Sequence, residues 1–266
     1  MKHLLCILVI TMATLSGKNV YSQSSFCTKK IDSILKTPTG VISVEHKKQI
    51  RDCVYELQNI GFLLDEIECK YDSARIKLES ALKVWQHIND TLNQANLLKF
   101  LGYLNGRLQN FQIGKSQIGR AIELYNSKKD SFGVAVSYFN LSRINEFENE
   151  LDSAVLFAEK AKAFWQHKNN PGRLMILNNQ LINLKIKQKK RTPIGYLINE
   201  NTVYLKSGIY WQQQLDFYFL SEQYFTKMGN REKKAKYAAL YSNKIESLAE
   251  ENSQTSYSIF DKRHCN

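Results

Sequence analysis

Apolar residues recur at helical spacing along most of the chain, in segments of similar length separated by short polar joints. The segments NQANLLKFLGYLNGRL at 93–108 and FQIGKSQIGRAIELY at 111–125 both show this spacing, which is typical of amphipathic helices. The joints between such segments are Gln109-Asn110, Lys128-Lys129-Asp130, Asn149-Glu150 and Lys168-Asn169-Asn170. Strand-like alternation is hard to find after residue 44, so the pattern predicts a series of consecutive helices.

These predicted helices repeat with a period of 40 residues. A shift of the sequence by 40 positions aligns Trp85 with Tyr125 and Trp165. It also aligns two further sets, Ala81 with Ala121 and Ala161, and Leu101 with Leu141 and Leu181. Small residues at fixed positions favour close approach of helices, and large apolar residues fill the space between them. The period therefore indicates a repeat architecture.

Capping residues recur in the same frame. Asp90, Asp130 and Asn170 each precede a predicted helix, where such side chains accept hydrogen bonds from the first amides of the helix. Pro171 then stands in the first turn, where proline is tolerated. Each 40-residue unit is therefore predicted to be a helical hairpin, and stacked hairpins bury apolar surface that one hairpin cannot bury alone.

Composition agrees with an all-α fold. The 266 residues include only three prolines and 12 glycines, so few residues would break a helix. At 43% hydrophobic residues the chain can bury a core.

The N-terminus has the features of a signal peptide. Lys2 lies in a short positive segment, residues 4–15 are almost entirely apolar, and Val20-Tyr21-Ser22 offers small residues at a cleavage site. We expect cleavage near Ser22 and a periplasmic or secreted protein. The apolar run is too short to cross a bilayer comfortably, so no stable membrane insertion is expected after cleavage. Retention of the segment as an anchor stays open as the alternative.

Four cysteines follow the predicted signal peptide: Cys27, Cys53, Cys69 and Cys265. Cys53 and Cys69 are separated by roughly 24 Å if they share one helix, at about 1.5 Å per residue, and a disulfide needs Cα atoms within about 7 Å. If a bridge forms, Cys27 with Cys53 or with Cys69 is favoured, and the pairing stays open. No Cys-x-x-Cys motif is present, so the sequence gives no support for a zinc or redox site.

The net charge is +12, which by itself would suit an anionic partner. The basic residues are spread along the chain, however, and the densest run, KIKQKKR at 185–191, is short. We interpret this run as a solvated helix end. Because an exported protein does not meet nucleic acid routinely, we predict no nucleic-acid partner.

Catalytic and cofactor motifs are absent from the sequence. No phosphate-binding glycine loop, nucleophile elbow or HExxH motif occurs, so we predict neither an enzyme nor a cofactor. Glu146, Glu148 and Glu150 are interpreted as a solvated helix end.

The repeated tripeptide Trp-Gln-His is explained by the same period. Trp85 and Trp165 fall late in second helices, where we expect them to seal one hairpin against the next. His87 and His167 follow them at predicted exposed helix ends, separated by four helices. Neighbouring helices pack about 8–10 Å apart, so we expect no shared metal ion.

The repeat resembles the tetratricopeptide repeat (TPR) family in a 40-residue variant, as in exported bacterial members. That family places Leu-Gly in the first helix, a small residue twelve positions after this glycine, and alanine seven positions later. Leu101-Gly102, Gly114 and Ala121 fit the spacing, and the next unit fits less strictly. The resemblance implies a right-handed α-solenoid of about five helical hairpins. Together with the signal peptide (1–22), this predicts an N-terminal capping segment (23–50), five units (51–90, 91–130, 131–170, 171–210 and 211–250) and a C-terminal tail (251–266).

The resemblance also implies a binding surface, the concave face lined by the first helices. At the family's ligand-contacting positions, the polar and cationic candidates are Asn96, Lys99, Tyr103, Arg143, Asn179, Asn183 and Gln223, and the apolar candidates are Phe139 and Phe219. We predict a non-enzymatic exported scaffold that binds a protein or peptide partner through this face, with an unknown oligomeric state. The alternative is a sensory or regulatory input module that acts on a separate membrane signalling protein.

Overall fold

The computed structural model of the chain describes residues 36, 51, 54–55, 71–188 and 193–253, without the side chains of 251–253. Every regular element among them is helical, which confirms the predicted all-α class. The helices are α1 (Tyr71–His87), α2 (Thr91–Arg107), α3 (Phe111–Ser127), α4 (Ser131–Phe147), α5 (Leu151–His167), α6 (Pro171–Lys187), α7 (Gly195–Tyr204), α8 (Trp211–Lys227) and α9 (Arg231–Ser253), with a short 3₁₀ turn at Leu205–Ser207.

Several predicted features lie outside the described residues. They are the signal peptide with its cleavage near Ser22, the N-terminal capping segment apart from residue 36, all of the cysteines, and the C-terminal tail beyond residue 253. Most of the predicted first helix of the unit 51–90 also lies outside them.

Two compact units divide the chain, Met1–Leu101 and Gly102–Asn266, and the division falls inside α2. In the first unit Trp85 is fully buried, and its ring meets the Tyr55 ring edge-on at 5.4 Å between centroids. His87, predicted to lie at an exposed helix end, is instead half-buried. Its Nε2 atom is shielded from solvent and has no hydrogen-bond partner in the structure as described.

The joints between helices share one geometry. Each joint contains one residue with a positive φ angle, in the left-handed region of the backbone. These residues recur every 20 positions: Asn89, Gln109, Lys129, Asn149 and Asn169. At Lys129 the amide donates to the Asn126 carbonyl at 3.0 Å, and the next amide, that of Asp130, donates to the Tyr125 carbonyl at 2.9 Å. This pair of bonds is a Schellman motif, which satisfies the last carbonyls of the helix.

The residue that closes one helix also opens the next. The Asp130 carboxylate accepts a hydrogen bond from the Gly133 amide at 2.9 Å. Asp90 accepts from the Asn93 amide at 3.3 Å and Asn170 from the Arg173 amide at 3.0 Å. The three predicted N-caps are therefore confirmed, and consecutive helices meet without an extended loop.

Glycines allow two helices of the second unit to touch along their backbones. A Cβ atom on Gly102 would lie 2.7 Å from the Gly114 carbonyl oxygen and 2.5 Å from the Ile118 side chain. A Cβ atom on Gly114 would lie 2.6 Å from the Gly102 carbonyl oxygen. The predicted close approach at these small residues is confirmed, because no larger side chain fits between α2 and α3 here.

Two apolar clusters fill the interior of the second unit beyond α4. Trp165, late in α5, is buried with Ala161 against Leu174 and Leu177 of α6, so it seals one hairpin against the next as predicted. A second cluster combines the alanines of α5 with apolar residues of the later helices, including Ala154, Ala158, Met175, Leu181, Leu197, Ile198 and Phe217. His167 is exposed, as expected.

Helices of the second unit pack mainly with their neighbours in sequence, and the first helices α6 and α8 also contact each other. This packing is consistent with a helical solenoid, and the predicted right hand of the stacking stays a prediction. The helix α7 has only 10 residues, where the second helices α1, α3 and α5 have 17 each, so the second helix of the fourth hairpin is shortened. No helix within the described residues is long and apolar enough to cross a membrane.

Candidate binding face

Arg143 is the sequence-predicted site residue with the most distinctive surroundings. Its guanidinium carbon lies 4.9 Å from the centroid of the Tyr103 ring and 5.7 Å from that of the Phe147 ring. Tyr103 stands on α2, 40 positions earlier, and Phe147 one helical turn further along α4. Cations are attracted to the faces of aromatic rings at such distances. The two rings therefore hold the guanidinium in a defined place.

The guanidinium of Arg143 has no carboxylate or other hydrogen-bond partner among the described residues. Arg143 and Tyr103 are half-buried, whereas Phe147 is 39% exposed. A guanidinium carries five N–H donors in a planar fork. An oriented guanidinium with unused donors can bind a planar anion such as a carboxylate through two parallel hydrogen bonds.

Glu146 lies beside Arg143 on α4 and faces α6. It accepts hydrogen bonds from Gln180 at 2.7 Å, Asn183 at 2.7 Å and Lys187 at 2.6 Å. Only 9% of the Glu146 side chain is exposed. The interpretation of Glu146 as part of a solvated helix end was therefore wrong, because three donors from the next first helix enclose the carboxylate.

The neighbouring glutamates differ from Glu146. Glu148 forms an ion pair with Lys115 and is about three-quarters buried in its side chain, so the solvated interpretation does not hold for it either. Glu150 is exposed, as expected.

We call six residues the first-helix face: Tyr103, Arg143, Glu146, Phe147, Asn183 and Lys187. Asn183 and Lys187 both donate to Glu146, so these two α6 side chains position the carboxylate rather than standing free. The face thus brings together three of the predicted candidates, Tyr103, Arg143 and Asn183.

Other candidates lie elsewhere. Asn179 was predicted to face a ligand, but it is 94% buried. Its amide donates to the Gln213 backbone carbonyl at 3.0 Å and its oxygen accepts from Asn201 at 2.8 Å. Phe139 is half-buried and packs against the cluster around Trp165. Both side chains face the interior because α4 and α6 are covered there by the following helices.

The remaining candidates are near the surface. Phe219 and Gln223 are exposed on α8, and the Phe219 ring lies 6.1 Å from that of Tyr241. In the first unit, the Lys99 amine lies 3.5 Å from the Asn96 side-chain oxygen. Asn96 is exposed and Lys99 half-buried.

A second polar cluster, which was not predicted from the sequence, lies in the interior of the fourth hairpin. Lys162 of α5 donates to Glu200 of α7 at 2.8 Å, and Asn178 of α6 donates to the same Glu200 oxygen at 2.9 Å. Asn178 also donates to the side-chain oxygen of Asn201 at 3.0 Å. With the bond from Asn201 to Asn179, these contacts form a chain that we call the buried polar network: Lys162, Asn178, Asn179, Glu200 and Asn201.

The network is buried and charged. Lys162 is 4% exposed and Asn178 and Asn201 are fully buried. Burial, together with the charges of Glu159 and Glu200, raises the pKa of Tyr196, whose ring lies 5.8 Å from the Lys162 amine. The sequence contains two signals for this network. Lys162 follows Ala161 on an apolar helix face, and Asn178 and Asn179 interrupt the apolar run LMILNNQLI.

Metal and family comparisons give no further assignment. No group of three or more potential metal ligands occurs in the part of the chain that the structure describes. A scan against protein-family models finds no match, and no curated protein sequence matches the chain.

Proposed function

We propose that the chain is a non-enzymatic, exported, TPR-like scaffold that binds a protein or peptide partner through the first-helix face. The observation that carries the proposal is Arg143, held on two aromatic rings with no anionic partner in the described chain. The absence of enzymatic activity is proposed from the sequence motifs. The partner would present a carboxylate, from an acidic side chain or a C-terminus.

The energetic cost of leaving the Arg143 cation unpaired, as well as its geometry, suits Arg143 to this role. A half-buried cation without a counter-ion loses part of its hydration, and the rings compensate only in part. A carboxylate on the partner would restore the missing hydrogen bonds. The nearby Glu146 does not serve this purpose, because Gln180, Asn183 and Lys187 already bind it.

A crosslinking pull-down with the exported protein, followed by mass spectrometry, tests the proposal. The variant Arg143→Ala is compared with Lys160→Ala, which also removes a cation stacked on two rings, those of Tyr138 and Phe157. Lys160 is exposed on a second helix, so it is a matched control. Partners captured by the wild type and by Lys160→Ala but lost with Arg143→Ala would support the proposal.

Equal capture by all three proteins would contradict the proposed role of Arg143. The identity of the captured proteins separates the scaffold from the alternative. Recovery of a membrane kinase would favour the sensory input module, and recovery of envelope assembly proteins alone would count against it.

A further inference from the structure

The buried polar network contains a nucleophile and an electrophile that both contact the same proton carrier. The Lys162 amine and the Asn178 amide nitrogen both lie within hydrogen-bond distance of one oxygen atom, Oε2 of Glu200, at 2.8 and 2.9 Å. Groups held this close react far faster than the same groups free in solution. The three side chains come from α5, α6 and α7, so the packing of three helices fixes their positions.

We propose that Lys162 and Asn178 form an intramolecular isopeptide bond, with Glu200 transferring the protons. The bond that forms joins Nζ of Lys162 to Cγ of Asn178. The bond that breaks is the one between Cγ and Nδ2 of Asn178. The nitrogen leaves as ammonia, and the reaction requires no oxidant, reductant or cofactor.

The contact between Lys162 and Glu200 provides the first step. An amine attacks a carbonyl carbon only when it is neutral, and the Lys162 amine donates to the Glu200 carboxylate at 2.8 Å. The Lys162 side chain is 5% exposed. Transfer of a proton from its ammonium group to Glu200 removes both charges from the interior and produces the free amine beside the amide.

The same carboxyl group completes the reaction. The amine attacks Cγ of Asn178, and the protonated Glu200 donates its proton to Nδ2, which lies against it. The bond from Cγ to Nδ2 then breaks, and Glu200 takes the surplus proton from the new amide nitrogen. The departing ammonia carries this proton away as ammonium, so Glu200 returns to its ionised form. About a third of the Glu200 side chain is exposed, which gives the product a route to solvent.

The amide of Asn178 is also oriented for this role. Its nitrogen donates to Glu200 and to Asn201, so both amide hydrogens point to acceptors. Its oxygen is buried without a hydrogen-bond partner in the described structure. A purely structural buried amide would normally use its oxygen as well, so the hydrogen bonds alone do not account for Asn178.

Peptide mapping of the protein purified from the cell that produces it tests the proposal. If the bond forms, trypsin cannot cleave after Lys162, and a branched peptide joins residues 161–168 to residues 174–185. Its mass is the sum of the two linear peptides less one ammonia, and fragmentation places the branch at Lys162 and Asn178. Recovery of peptides 163–168 and 174–185 in linear form, in full yield and without the branched product, would overturn the proposal.

Variants assign the role of Glu200. Glu200→Gln keeps the shape of the side chain but cannot accept a proton, so the branched peptide should disappear, as it should in Lys162→Arg. Lys160→Arg, on the exposed face of the same helix, should leave the yield unchanged. Full cross-linking in Glu200→Gln would overturn the proton-transfer role. If that variant does not fold, the peptide map of the wild-type chain still decides whether the bond exists.

Discussion

Two adjacent regions of the second unit hold their helices together in different ways. In residues 102–167 the contacts depend on small residues, with Gly102 and Gly114 touching through their backbones and alanines filling the inner face of α5. In residues 171–207 the second helix is shortened to 10 residues, and buried amides of α6 and α7 bond to each other and to Glu200. The same 40-residue repeat therefore accommodates both close backbone contacts and a polar network between helices.

The difference concerns specificity of packing. Glycine and alanine contacts fix how closely two helices approach, but apolar surfaces tolerate small sliding movements. Hydrogen bonds are directional, and a buried amide that loses its partner is costly. The buried polar network therefore specifies the register of the short helix α7, which has fewer apolar residues to do so.

The largest expected effect is in the polar region. In the chain without the cross-link, Asn201→Leu leaves the Asn178 amide hydrogen and the Asn179 oxygen without their partner, and each buried unsatisfied group costs about 1–3 kcal/mol. We expect the free energy of unfolding to fall by about 2–6 kcal/mol in urea denaturation. The control Asn199→Leu, exposed on the same helix, should change it by about 0.5 kcal/mol or less. Equal effects of both variants would show that the network contributes nothing specific.

The glycine contact between α2 and α3 gives the next largest effect. In Gly102→Ala the new methyl group would collide with the Gly114 carbonyl and Ile118, which should cost about 1–3 kcal/mol through overpacking. Gly119→Ala is the control, since a Cβ atom there meets nothing within 4 Å, and alanine's higher helix propensity should stabilise the protein by up to about 1 kcal/mol. Thermal or urea unfolding measures the change in stability of both variants. If Gly102→Ala stabilised the protein, the close contact between α2 and α3 would be contradicted.

The smallest effects should be the same in both regions, because the joints share one geometry. Asp130→Ala removes the cap of α4 and Asn170→Ala the cap of α6, and each should cost about 1 kcal/mol. Glu150 makes no side-chain capping bond at α5, so Glu150→Ala should cost less than about 0.5 kcal/mol. If urea denaturation showed the same loss of stability for Glu150→Ala as for the other two variants, the side-chain capping bonds would not explain the effects.

The helices were predictable from the sequence for physical reasons. The 40-residue period, the polar joints and the caps at Asp90, Asp130 and Asn170 all reflect local rules, since capping and periodicity depend on residues close together in the chain. Trp165 was also predictable, because a large apolar side chain at a repeated position must be buried.

The polar contacts were less predictable because they join residues far apart in the chain. Asn179 occupies a ligand-contacting position of the resembled family, yet its amide donates to the Gln213 carbonyl in the first turn of α8. Glu146 sits near a helix end, but three donors about 35–40 positions later enclose it. Periodicity locates such residues on a face of a helix and does not say which neighbour fills the space opposite.

The central claim, that Arg143 binds the carboxylate of a partner, is tested most directly by affinity measured with the purified partner. Calorimetric titration of the wild type, Arg143→Ala and Lys160→Ala should show weaker binding only for Arg143→Ala, about tenfold or more for a lost charge-assisted hydrogen bond of about 1.5–3 kcal/mol. The melting temperatures of both variants should stay close together, since each loses one cation stacked on two rings. Added salt should reduce the difference in affinity, because exposed charges are screened beyond roughly 10 Å at 0.1 M. Unchanged affinity in Arg143→Ala, with a much lower melting temperature than that of Lys160→Ala, would contradict the claim and make Arg143 a structural residue.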